Sequence, residues 1–182
     1  MQTPWGQSDK QYNTAIEGII WYTTPSHGGV HVKEALNAQV PASCRSLNGW
    51  YEEDCEWSIP ALVFPAAFDH DNEQDNAKRV AKNFYPDAYT AITGKPVTIE
   101  ESRALREREF KRVNADNWVV ISAQRSLKYH GFFECFATKA GERHQKAYDQ
   151  GKRWLVDAER YATRGNHGYV INPLTDAGWD GK

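Results

Sequence analysis

The sequence predicts an α+β fold, with a mainly antiparallel sheet built from an N-terminal hairpin and a C-terminal meander, and three to four helices packed on one side. Three observations predict it. Strand-like period-two runs open the chain, apolar residues at helical three-and-four spacing fill its middle, and period two returns at residue 118. At 182 residues the chain suits one domain, 1–182, with flexible ends at 1–12 and 175–182.

Each element has its own warrant. Residues 15–23 alternate with both faces largely apolar and read as a strand inside the sheet, and residues 29–33 read as its partner across a turn at 25–28. The Asn48-Gly49 pair signals a further turn. Residues 50–64 carry two apolar stripes at helical spacing, so a helix is expected there, with Pro60 either kinking it or opening a second helix from its first turn. Residues 71–85 form the clearest helix: Ala77, Val80, Ala81 and Phe84 make its apolar stripe, and Asp71 with Gln74 suits a capping box. A shorter helix follows Pro86 and stops at Gly94, and a third runs over about 99–114. Residues 118–123, 131–138, 153–157 and 169–172 read as strands, with a mobile loop over 139–152.

Composition excludes several classes. The net charge of −2 gives no global pull toward nucleic acid or anionic membrane, so such binding would need a local patch. No run is apolar enough for a signal peptide or a membrane span, and a soluble cytoplasmic protein is expected. Cys44, Cys55 and Cys135 are odd in number and widely spaced, which fits buried thiols better than a disulfide framework or a zinc site.

Two stretches could carry chemistry. In TPSHGGVHV (24–32), Gly28 and Gly29 permit close approach to the backbone, and His27 can act as acid, base or ligand; the plain alternative is a tight turn with a locally bonded histidine. In GWYEEDCEW (49–57), Glu52, Glu53, Asp54 and Glu56 crowd between tryptophans. Their repulsion asks for compensation by a helix N-terminus, an arginine or a divalent cation. His27, Glu52, Glu53 and Asp54 are the catalytic candidates, and Ser26, Gly28, Gly29, His31, Trp50 and Tyr51 the binding candidates beside them. Arg103 and Arg106 fall within the apolar stripe of the third helix; their heads either reach water or form a guanidinium fork for phosphate or carboxylate. No established metal or cofactor motif is present, and no cofactor is predicted beyond that possible cation.

TPWG (3–6), TPSHGG (24–29), GWYEEDCEW (49–57), PDAYTAITG (86–94), WVVISA (118–123) and ATKAG (137–141) together resemble an uncharacterised domain family of bacteriophage, plasmid and other mobile-element accessory proteins. The resemblance implies a small intracellular protein that modulates host defence or replication. It also implies an uninterrupted helix where Pro60 stands. The leading expectation is therefore an accessory protein that binds a host protein or defence complex, with counter-defence inhibition as its role. The first alternative is an enzyme acting on a nucleotide or phosphodiester through His27 and the acidic cluster, which requires the two stretches to meet in space. The second alternative is nucleic-acid binding or mimicry.

Overall fold

A computed structural model describes residues 1–70 and 72–180. The chain divides into two compact units, residues 1–105 and 106–182. The architecture is α+β with antiparallel pairing throughout the named strands, and both the N-terminal hairpin and the C-terminal meander are present. The hairpin and the meander belong to separate four-stranded sheets rather than to one, because no strand pairing links the two among the described residues.

In the first unit, β1 (Gln2–Thr3) and β2 (Gly6–Gln7) form a small hairpin, and β3 (Lys10–Asn13) adds an edge strand to β4 (Ile19–Thr23). β5 (Gly28–Val32) completes the predicted hairpin. The strand expected over 15–23 starts only at Ile19, because Gly18 adopts φ +93° and turns the chain just before it. After the single-turn helix α1 (Glu34–Asn37) the chain returns through Gly49, at φ +75°, into β6 (Trp50–Glu52), giving the order β3-β4-β5-β6.

The expected helix over 50–64 is therefore corrected. Trp50 and Tyr51 favour a pleated surface and pair with His31 and Val30. Residues 53–57 form turns, and α2 (Ser58–Val63) begins only at Ser58, with Pro60 in its first turn where no backbone donor is needed. A 3₁₀ turn (Pro65–Ala67), α3 (Glu73–Phe84) and α4 (Pro86–Thr93) follow, the last closed by Gly94 at φ +70°. Asp71 lies outside the described residues. Its expected capping partner Gln74 instead donates through Nε2 to the carbonyls of Ala61, Pro65 and Phe68, tying α3 to the end of α2.

Register decides which face of this sheet is buried. Ile19 pairs with Val32, Trp21 with Val30, and Val30 with Tyr51. These side chains share one face and pack with Trp57, Ile59, Phe64, Phe68 and Ala77 from the helical layer. Tyr51 is 1% exposed. Its hydroxyl donates to Asn37 Oδ1 at 2.6 Å and accepts from the Ser46 amide at 3.2 Å, so its polar end is satisfied inside the core.

The second unit opens with α5 (Arg103–Val113), which crosses the division between the units. Ser102 Oγ accepts from the Leu105 amide at its start. None of its residues is buried, and Arg103 and Arg106 are exposed, so the apolar stripe assigned to this helix does not form a core face. β7 (Trp118–Arg125), β8 (Phe132–Lys139), β9 (Lys152–Asp157) and β10 (Ala177–Gly178) pair in the order β10-β9-β8-β7. The loop expected over 139–152 contains α6 (Gln145–Asp149), capped by His144 Nδ1, and α7 (Ala158–Ala162) is capped by Asp157. Residues 169–172 make a single bridge to Val119 instead of a strand.

Val120, Cys135, Ala137, Trp154, Val156, Tyr169 and Ile171 form the core of this unit. Its polar anchor is Asp176, whose side chain is 0% exposed. The carboxylate accepts from Tyr169 Oη at 3.0 Å, from the Asn172 amide at 2.9 Å and from Arg160 Nε at 3.2 Å. Gly181 and Lys182, at the end of the tail expected to be flexible, lie outside the described residues.

Two measurements check these cores. Asp176→Ala leaves the Tyr169 hydroxyl and the Asn172 amide buried without their acceptor, and urea unfolding of the second unit is expected to show a loss of roughly 2–4 kcal/mol. Burial, reinforced by nearby Asp176, pushes the Cys135 thiol up to about 12 from the ordinary value of 9.0. The folded state thus holds this proton more tightly than the unfolded one. Its contribution is complete below pH 9 and is lost as the pH rises from 9 toward 12. At pH 8.5, iodoacetamide should modify Cys135 after Cys44 and Cys55, at the rate of unfolding.

Candidate functional site

The second face of the N-terminal sheet carries Ile20, His31 and Trp50 in one cross-strand row and Tyr22, Gly29 and Glu52 in the next. Gly29 leaves a gap in that row, and Trp5 from the turn between β1 and β2 fills it. A Cβ at Gly29 would overlap both the Trp5 ring and the Tyr51 carbonyl. Trp5 meets Trp50 edge-on at 5.7 Å, while Trp50 contacts Tyr22 at 5.3 Å and His31 at 4.6 Å. Burial holds His31 below the ordinary histidine range, so it stays neutral at pH 7 and packs as an aromatic ring. Trp50 and His31, taken from the sequence as binding candidates, are half-buried parts of this aromatic layer.

The turn at the end of the β4–β5 hairpin is closed by Thr24. Its amide and hydroxyl both donate to the His27 carbonyl, each at 2.7 Å, and its Oγ1 accepts from the His27 amide at 3.1 Å. Pro25 and Ser26 occupy the exposed tip. His27, two residues before Gly29, is exposed. By period two it falls on the same face as Gly29, and therefore as Glu52 opposite it.

Glu53 arrives by another route. Its amide donates to the Gly28 carbonyl at 3.1 Å, and its carboxylate occupies the space a side chain at position 28 would take, because a Cβ there would overlap Glu53 Oε2. The two glycines thus have separate tasks: Gly29 admits Trp5, and Gly28 admits Glu53.

The result is a three-residue group. His27, Glu52 and Glu53 each place a ligand atom within 4.8 Å of the others. Two donors about 2.1 Å from one ion lie at most roughly 4.2 Å apart, a spacing close to the 4.8 Å within which these atoms lie. One imidazole and two carboxylates suit a borderline or hard divalent ion such as Zn²⁺ or Mn²⁺.

Asp54, the fourth catalytic candidate, stands outside the group and gives its amide to Glu52 Oε2 at 2.7 Å. Glu56 Oε2 accepts from the Glu52 amide at 3.1 Å, so the acidic run folds back on its own backbone. Tyr51, a binding candidate in the sequence, has its side chain in the core at 1% exposed and turns its carbonyl toward Gly29. Arg103 and Arg106 are not members of the group.

Trp5 and Tyr85 were not picked out from the sequence as site residues, and Glu56 was noted only as part of the acidic run. Burial, then the nearby Glu56, Cys55 and Glu52, push the Tyr85 phenol up to about 12, which places it beside the acidic turn. Burial, then Asp54, Glu52 and Glu56, raise the Cys55 thiol above its ordinary value. A signal for Trp5 existed in the Gly28-Gly29 pair, which announces a close neighbour; nothing local to TPWG named it as that neighbour.

The first unit thus presents a histidine and two carboxylates at one corner of a four-stranded antiparallel sheet. The chain belongs to the family described as Domain of unknown function (DUF7007), whose model matches residues 1–115. That match contains TPWG, TPSHGG, GWYEEDCEW and PDAYTAITG, whereas WVVISA and ATKAG lie beyond it. No curated protein and no solved structure matches the chain. No helix among the described residues is long and apolar enough to cross a membrane.

Gly29→Ala tests the site's floor. The added methyl meets an aromatic ring and a backbone carbonyl, and overpacking of this kind costs about 1–3 kcal/mol. Thermal unfolding should fall accordingly, and the tryptophan emission should move to the red as Trp5 leaves the sheet.

Proposed function

We propose that the N-terminal unit binds a divalent cation through His27, Glu52 and Glu53 and uses it to engage a phosphate group of a nucleotide or phosphodiester. The observation that carries this reading is the convergence of the three ligand atoms within 4.8 Å, His27 from the β4–β5 turn and Glu52 and Glu53 from the end of β6 and the turn after it. A cation held there supplies a Lewis-acidic contact for a phosphate oxygen. The chain's own residues do the rest: Thr24 fixes the His27 backbone, Gly28 gives room to Glu53, and the Asp54 amide orients Glu52.

This convergence favours the cation reading over capture of a host component by a phage or plasmid accessory protein with a counter-defence role. That role needs no histidine beside paired carboxylates.

Calorimetric titration of the purified chain with Mn²⁺ and with Zn²⁺ tests the reading. One-to-one binding is expected, weakened at least tenfold in His27→Ala and in Glu53→Gln and unchanged in Asp54→Asn. Binding of a nucleotide should then require the cation. Equal binding by wild type and His27→Ala, or no heat with either metal, overturns the proposal.

A further inference from the structure

The two units carry opposite charge. Residues 1–105 hold 8 Lys and Arg against 14 Asp and Glu, a formal charge of −6, and residues 106–182 hold 14 against 10, a formal charge of +4. The whole-chain value of −2 hides this partition.

The solvent side of the C-terminal sheet adds a second, independent observation. Ser122, Phe136 and Arg153 lie opposite one another across β7, β8 and β9. With Gln124, Glu134 and Trp179 they line an open cavity of about 270 Å³. Phe136 is half-buried, and its ring packs against Gly151, where a Cβ would overlap it. Tyr148 of α6 lies parallel to Phe136, with centroids 6.1 Å apart and planes 10° apart, and is itself 40% exposed. The Arg153 guanidinium stands 5.9 Å from the centre of the Trp179 ring.

We propose that this face binds single-stranded nucleic acid, with bases stacking on Phe136, Tyr148 and Trp179 and with Arg153 taking the backbone phosphate. Rings on an open sheet flanked by cations are the means by which proteins hold unpaired bases without reading a duplex. The cavity lies just below the ~300–1,000 Å³ of a site for a drug-sized molecule, which suits one base of a longer strand. Glu134, the acid within the cavity, accepts from Gln124 Nε2 at 2.9 Å and from Ser126 Oγ at 2.8 Å, which ties it within the sheet. An acidic peptide would find one arginine among three rings, a poor match for a run of carboxylates.

Fluorescence anisotropy of a fluorescein-labelled single-stranded 20-mer, titrated with the full chain in EDTA, tests this apart from the cation site. Saturable binding is expected, weakening as salt rises from 50 to 200 mM. Trp179→Leu should weaken it fivefold to a hundredfold, and Arg153→Gln should lower the salt slope by about one ion. Circular dichroism of both exposed-face variants checks that they fold. Absence of binding at 50 mM salt, binding that both variants retain, equal affinity for duplex, or equal affinity for polyglutamate would each overturn the proposal.

Discussion

The absence of side chains at Gly28 and Gly29 is the constraint on which the N-terminal sheet depends. Ordinary residues there would place one Cβ against Glu53 and the Tyr22 carbonyl and the other against the Trp5 ring and the Tyr51 carbonyl. With them gone, one position receives an indole and the other a carboxylate. The indole joins Trp50, Tyr22 and His31 in an aromatic layer that shields one face, while the opposite face is buried by the helices. The carboxylate completes the group with Glu52 and His27. Packing and chemistry here thus rest on adjacent glycines, Gly29 for the indole and Gly28 for the carboxylate.

Each unit also holds its irregular segments by a buried polar group in place of more regular structure. Tyr51 hydrogen-bonds Asn37 and Ser46, fixing the long connection from α1 to β6 from inside the core. Asp176 gathers Tyr169, Asn172 and Arg160, which draws the C-terminal tail against the meander. Such groups cost desolvation free energy unless every partner is present. They therefore specify one arrangement of loops that apolar contacts alone would leave loosely defined.

Periodicity made the regular elements legible. The hairpin, the helices after residues 71 and 86 and the strands at 118, 131 and 153 stand close to where alternation and three-and-four spacing put them. The failures share a physical origin. Residues 50–57 carry helical spacing by coincidence, and β-pairing of Trp50 and Tyr51 with β5 overrides it. The arginines of α5 looked like part of a buried stripe because helical spacing records which residues share a side, not whether anything covers that side. The division into two sheets was hidden for the same reason, since alternation reports a strand and not its partner. At the site, His27 and the acidic run were visible as residue types, but their meeting depends on β5–β6 register and on the space left at Gly28.

Opposite charge on the two units separates how each would meet an anion. A phosphate approaching the −6 unit is repelled until a cation lowers the local charge, so in the proposed reading the cation must precede the ligand, and His27 with its two carboxylates sets the order of binding. Free carboxylates there would discriminate against polyanions at low cation concentration. The +4 unit attracts the same backbone without any ion, over a range limited to roughly 8–10 Å at physiological salt. Aromatic rings then decide what is retained, because stacking rewards exposed bases and not phosphate alone. Under the two proposals, association through the C-terminal sheet follows ionic strength, and engagement of phosphate at the N-terminal corner follows metal, so the two dependences are separable.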